Sequence, residues 1–299
     1  MKHLTRYGLF LMGLLSVAFA TDNPVWGAGR VTNITGYDQA QSLHLGALFT
    51  LLQSDYFGMI FLGIIIVVPA LFALHYMVIG PMVFSHDRKK IYVFNLFHRI
   101  VHWIAAVAFM ILVPTGLVII FGDTFGGGAF VRLCKDLHGI GTLIFAVVVL
   151  PMFFMWARYM FLHFDDIKWL MIMGGYLNKN KNPVPAGKFN SGQKTWFWLC
   201  TLGGIVLIIT GGMMYLLDFD MVMLRELTGL SQIDLLRAAA IIHNVLGMAT
   251  VILFFVHIYM SMFAIKGAVH SMISGYKEEE EVEVLHSSWY RQLKAQGKV

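Results

Sequence analysis

Five long apolar runs, separated by short polar or basic stretches, set the pattern of the chain: residues 56–84, 97–121, 137–161, 195–217 and 236–266. Each is longer than the roughly 20 residues needed to cross a bilayer as a helix. The pattern therefore predicts an all-α integral membrane protein with five spanning helices. Ahead of them, residues 1–20 place Lys2 and Arg6 before the apolar GLFLMGLLSVAFA, with Ala18-Phe19-Ala20 preceding Thr21, the layout of a cleaved secretory signal. Residues 21–55 hold no spanning run and read as a periplasmic arm. A polar loop, 162–194, contains NKNKNPVPAGKFNSGQK, and the tail beyond Lys266 contains the acidic EEEEVE, read as a solvated charge stretch.

Composition agrees with this class. Of 299 residues 58% are hydrophobic and 13% charged, and the mean hydropathy is +0.70, values of a membrane protein rather than a soluble one. The net charge of +5 does not point to nucleic acid, because the basic residues are scattered among short loops and make no stripe. They report topology instead. With the mature N-terminus outside, fifteen Lys and Arg fall in cytoplasmic pieces and five in outer ones, which predicts a periplasmic N-terminus and a cytoplasmic C-terminus in a bacterial inner membrane. Cys134 and Cys200 lie in different runs without CxxC or CxxCH, which argues against covalent haem, a zinc site or an iron–sulfur cluster held by this chain alone.

The last apolar run carries two imidazoles, His243 and His257, inside it. Ionisable groups there need a reason. Fourteen residues separate them, about four turns of a bundle helix and a rise of roughly 21 Å, so both rings share one face near opposite membrane edges. Depth then decides partners: the 97–121 run enters from the cytoplasm and puts His102 at the level of His257, while the 137–161 run enters from outside and puts His138 at the level of His243. Two imidazoles from different helices at one depth can sandwich a haem iron, the porphyrin supplying the other four nitrogens. Zinc or copper would want further protein ligands, and no Cys, Asp or Glu is placed to supply them. Gly116, fourteen residues beyond His102, shares its face at the level of the other pair, where a small residue admits close approach. His98, one turn from His102, reads as structural or propionate-contacting. His75 is left outside the site, His3, His44, His86, His163, His270 and His286 read as solvated, and Trp103, Trp169, Trp196 and Trp198 read as an interfacial belt.

Several spaced motifs resemble one family, the cytochrome b (gamma) subunit of membrane-bound formate dehydrogenase: RIVHW at 99–103, LHGIG at 137–141, GKFNSGQK at 187–194, IIHNVLG with FVHIYM fourteen residues on, IKGAVHSMISG at 265–275 and SSWYRQL at 287–293. The resemblance runs from about residue 97 to the C-terminus. It implies a four-helix di-haem cytochrome b domain at 85–299, with the 56–84 helix as an extra element. It gives the same haem b ligands and pairs, His138 with His243 and His102 with His257, and implies a menaquinone pocket at Asn190, Gly192 and Gln193. It further implies catalytic (alpha) and iron–sulfur (beta) partner subunits, with formate oxidised outside this chain. A cytochrome b subunit of a nickel–iron hydrogenase or thiosulfate reductase would use the same two-haem logic, and from another class a haem-free anchor or transporter remains as alternative. Where the family member compared has Pro after the ligand, this chain has Gly139.

Overall fold

The structure, a computed structural model, describes residues 45–216 and 221–299. The signal expected at 1–20, and residues 21–44 of the expected arm, lie outside them. Among the described residues, five helices are long and apolar enough to cross a membrane: α1, Leu45–Val78; α2, Leu96–Ile120; α3, Gly128–Tyr159; α5, Ser191–Tyr215; and α7, Gln232–Ala264. Between and after them lie the short helices α4, Phe164–Met171, α6, Val222–Thr228, α8, His270–Ser274, α9, Glu279–Leu285, and α10, Ser287–Ala295. The chain is an all-α, multi-pass membrane protein.

Two helices start earlier than hydropathy suggests. α1 begins at Leu45, inside the stretch expected to be an arm. The polar Gln53-Ser54-Asp55 interrupts the hydropathy but not the helix, which absorbs it as a wider turn at Leu52–Tyr56. It stops at Val78, where Gly80 takes φ 79° and Pro81 follows. α3 begins at Gly128, the last of three successive glycines with φ of 74°, 62° and 68°, a left-handed turn that only glycine makes without strain. His138 therefore sits well inside its helix rather than at its start.

The chain divides into two compact units. Of the described residues, one holds 45–63, 111–140, 209–216 and 221–245. Here Ser231 caps the start of α7, its Oγ donating to Asp234 Oδ2 at 2.6 Å and accepting from the Asp234 N–H at 3.3 Å, and Asp234 holds Arg237 at 3.3 Å. A Cβ on Gly46 would stand 3.0 Å from that guanidinium.

The other unit holds residues 64–110, 141–208 and 246–299. Phe109 is its aromatic hub, with ring centres 5.1 Å from Phe145, 5.4 Å from Trp196 and 5.9 Å from Phe254. The tail, expected to be solvated, is folded onto the 82–92 loop. Lys90–Tyr92 pairs antiparallel with Tyr276–Glu278, and the acidic run spends its charges on partners: Glu278 on His86 and Lys90, Glu280 on Lys181 and the Ser85 N–H, Glu281 on Lys277, and Glu283 on Arg88. His286 is likewise not solvated. It is 2% exposed and its Nδ1 meets the Gly187 carbonyl at 2.8 Å. Burial, with Lys277 adding, pushes the imidazole down to about 3 against the pull of that carbonyl.

Candidate functional site

The four intramembrane histidines form two pairs, each within one unit. In the first, His138 of α3 and His243 of α7 have ring centres 6.4 Å apart and planes inclined by 60°. In the second, His102 of α2 and His257 of α7 stand 6.1 Å apart at 55°. Two imidazoles on opposite sides of one metal ion, each nitrogen about 2 Å from it, have ring centres about 6 Å apart. Both pairs meet that spacing, and both are the pairs that depth and resemblance predict.

The first pair is held by a repeated device. Thr115 Oγ1 donates to the Ile111 carbonyl at 2.6 Å and stands 3.0 Å from His138 Nδ1, so the imidazole N–H donates to the hydroxyl oxygen. With the proton at Nδ1, the Nε2 lone pair is left for a metal. The next residue is Gly116, where a Cβ would lie 3.2 Å from His138 Cε1. On α5, Thr210 Oγ1 stands 3.0 Å from His243 Nδ1, and a Cβ on Gly211 would lie 3.2 Å from His243 Cε1. A Thr-Gly dipeptide thus seats each ring. Gly139 has its own neighbour: its missing Cβ makes room for the Tyr215 ring, 3.3 Å away.

The second pair is set among aromatic rings. Trp196 stacks on His257, with centres 5.6 Å apart and planes 21° from parallel, and Trp103 meets His102 edge-on at 5.5 Å. His102 Nδ1 is buried without a hydrogen-bond partner. Trp196, read from its position as an interfacial residue, thus also packs on a ring of this pair.

The GKFNSGQK loop is organised around a buried ion pair. Lys194 and Asp166 meet at 2.6 Å with side chains 8% and 6% exposed, and Ser191 Oγ donates to Asp166 Oδ1 at 3.0 Å. Breaking such a pair from one side costs about 3–5 kcal/mol, so α4 is tied to the start of α5. Asn190 and Gln193 form a reciprocal cap, each side-chain oxygen accepting the other's backbone N–H at 3.0 Å. Gly192 faces Trp169, whose Cη2 would be 3.2 Å from a Cβ there. The two amide NH2 groups are what Asn190 and Gln193 can still offer a ligand. His75, left outside the site, joins α1 to this unit: its Nδ1 is 2.5 Å from the Tyr259 hydroxyl and its Nε2 2.8 Å from the Tyr176 carbonyl.

The sequence pattern of the prokaryotic cytochrome b561 family matches residues 93–275, a stretch that holds all four paired histidines. The chain belongs to this family. Among its relatives, the cytochrome b556(fdo) subunit of formate dehydrogenase from Escherichia coli is 26% identical over 201 residues, covering 66% of this chain and 90% of that protein. The nitrate-inducible cytochrome b556(Fdn) subunit from the same species is 27% identical over 213 residues, covering 67% and 90%. A formate dehydrogenase cytochrome b556 subunit from Haemophilus influenzae is 27% identical over 202 residues, covering 65% and 79%. The resemblance to the formate dehydrogenase cytochrome b subunit therefore stands, and the chain is a membrane cytochrome b with an electron-transfer role.

Haem b is the cofactor that this cytochrome family implies, and the residues fit it. Two imidazoles per centre suffice for iron already held by four porphyrin nitrogens, and each first-pair ring carries the second hydrogen bond typical of metal-bound histidine. Sequence reading missed Thr115, Thr210 and Trp196. The dipeptides Thr115-Gly116 and Thr210-Gly211, each ending in a glycine on the histidine-bearing levels, were the available signal.

Proposed function

We propose that this chain is the two-haem membrane subunit of a formate dehydrogenase in the bacterial inner membrane, N-terminus periplasmic and C-terminus cytoplasmic. A catalytic (alpha) subunit oxidises formate outside, and an iron–sulfur (beta) subunit delivers the electrons to the His138–His243 centre. They cross to the His102–His257 centre and reduce menaquinone on the cytoplasmic side. The observation that carries this reading is the coincidence of two histidine pairs at metal-bridging distance with relatives named as formate dehydrogenase cytochrome b subunits.

When bound, haem b supplies reversible one-electron chemistry at iron. The residues of the chain do the rest. His138 donates its Nδ1 proton to Thr115, and His243 Nδ1 lies 3.0 Å from the Thr210 hydroxyl, bonds that fix ring orientation. At the loop, the Asn190 and Gln193 NH2 groups suit the two carbonyl oxygens of a quinone, which accept hydrogen bonds and cannot donate them. Gly192, between them, lies against the Trp169 ring. Quinol formation takes two electrons and two protons, and drawing the protons from the cytoplasm while negative charge moves inward builds a membrane potential.

Pyridine-haemochrome quantification on the purified complex tests the reading: two haems per chain support it and none ends it. Formate-dependent quinol formation by a complex that co-purifies with catalytic and iron–sulfur subunits tests the partners. Reduction by hydrogen in place of formate would move the assignment to a hydrogenase cytochrome b.

A further inference from the structure

Buried polar groups without a hydrogen-bond partner are few in folded proteins, and each asks for an explanation. Among the described residues, seven such atoms occur, and four of them, His98 Nδ1, Arg99 Nε, His102 Nδ1 and Trp156 Nε1, belong to two stretches that touch, the start of α2 and the end of α3. His98 and Trp156 have ring centres 5.8 Å apart. Trp156 is 6% exposed, so its indole N–H has been taken from water without compensation.

The same place carries unneutralised positive charge. Lys188 Nζ donates to the Val93 carbonyl at 3.0 Å and lies over the rings of Phe94, Tyr159 and Phe189, at 5.4, 5.2 and 5.9 Å from their centres. Arg158 lies over Tyr159 at 4.6 Å. No salt bridge among the described residues reaches His98, Lys188 or Arg158. Burial, with Arg158 adding, lowers Lys188 from the ordinary lysine range, the direction expected of an ammonium that lacks its anion. Donors without acceptors and cations without carboxylates describe one missing partner, a buried anion.

We infer that Lys188, His98 and the Trp156 indole N–H seat a propionate carboxylate of the haem held by His102 and His257. This rests on the two-haem reading above. His98 lies one helical turn from His102 and on its face, and haem b bears carboxylates on its periphery. The depth of Trp156 argues for the acid group of a resident cofactor rather than a soluble anion. Lys188 belongs to the GKFNSGQK loop, so the same eight residues would ground the haem carboxylate and present the quinone-binding amides.

The test uses the intact complex with Lys188→Gln and Trp156→Phe, read by resonance Raman in the propionate-bending region and by potentiometric titration of both haems. The expected result is a shifted propionate band in both variants. In Lys188→Gln the midpoint potential of one haem moves negative, because removing a nearby cation disfavours the added electron, while the other haem keeps its value. Unaltered bands and potentials in both variants overturn the inference. If Lys188→Gln fails to accumulate, Trp156→Phe, which keeps an aromatic side chain while removing the N–H donor, decides alone: a shifted band supports the seat and an unshifted one rejects it. Wild-type complex without haem would instead sink the parent reading.

Discussion

At the His138–His243 pair, a threonine hydroxyl meets Nδ1 of each ring at 3.0 Å and a glycine lies under each ring edge. At the His102–His257 pair, one ring lies against Trp196, the other meets Trp103 edge-on, and His102 Nδ1 is buried without a partner. Similar ring separations, 6.4 and 6.1 Å, are thus reached by different means. A hydrogen bond from Nδ1 raises the electron-donating power of the imidazole and favours the oxidised metal, whereas an unpartnered Nδ1 in apolar surroundings does not. With metal bound, the threonine-held centre is expected to have the lower potential of the two.

The comparison can be broken most severely at the ligands. His243→Ala should lose the haem of the first pair and His257→Ala that of the second, each leaving one haem per chain; equal, full haem content in both variants would remove the assignment. Next come the glycines. Gly116→Val and Gly211→Val put atoms within about 3 Å of a ligand ring, and the expected outcome is selective loss of the first-pair haem, visible as a halved alpha-band amplitude. A smaller effect is expected from Thr115→Val and Thr210→Val, which keep shape and delete the acceptor. Haem affinity should fall about tenfold and the potential of that centre should rise, with the second centre unmoved; a redox titration that finds both centres shifted alike would merge the two devices.

The smallest effects lie in the cap and the tail. Asn190→Ala should cost about 1 kcal/mol of helix stability and lower the apparent quinone affinity, and a Km for quinone that does not change would remove the amide from the pocket. For His286 the folded-state imidazole lies at about 3 and the unfolded one near 6.5, so the folded form favours the neutral ring. Its contribution is complete above about pH 6.5 and is lost as pH falls from there toward 3. Melting curves of detergent-solubilised protein between pH 7.5 and 4.5 should show the decline, and His286→Asn should flatten it.

The spanning helices were legible because hydropathy depends on nothing but the residues themselves, and the paired histidines because charged or polar rings are rare in apolar runs and these repeat at helical spacing. Two kinds of information escaped. Thr115 and Thr210 look like any intramembrane hydroxyl, and only the approach of α3 and α7 brings them to the histidine rings. The acidic run at 278–283 reads as solvated because its partners, Ser85, His86, Arg88 and Lys90, stand almost two hundred positions earlier, beyond any local pattern. The early starts of α1 and α3 were hidden for a related reason: a few polar side chains lower local hydropathy without costing the backbone its hydrogen bonds.

The same long-range clasp orders events during synthesis. Arg88, Lys89 and Lys90 emerge from the ribosome long before Glu278, Glu280 and Glu283, so while the first helices are being inserted the basic loop is uncompensated and can act at full strength in setting orientation. Only when the final segment is made do Glu283 and Glu278 arrive to pair with Arg88 and Lys90. Arg88 and Lys90 thus stay without these partners until the last segment is made, and a chain truncated before residue 278 would never acquire them.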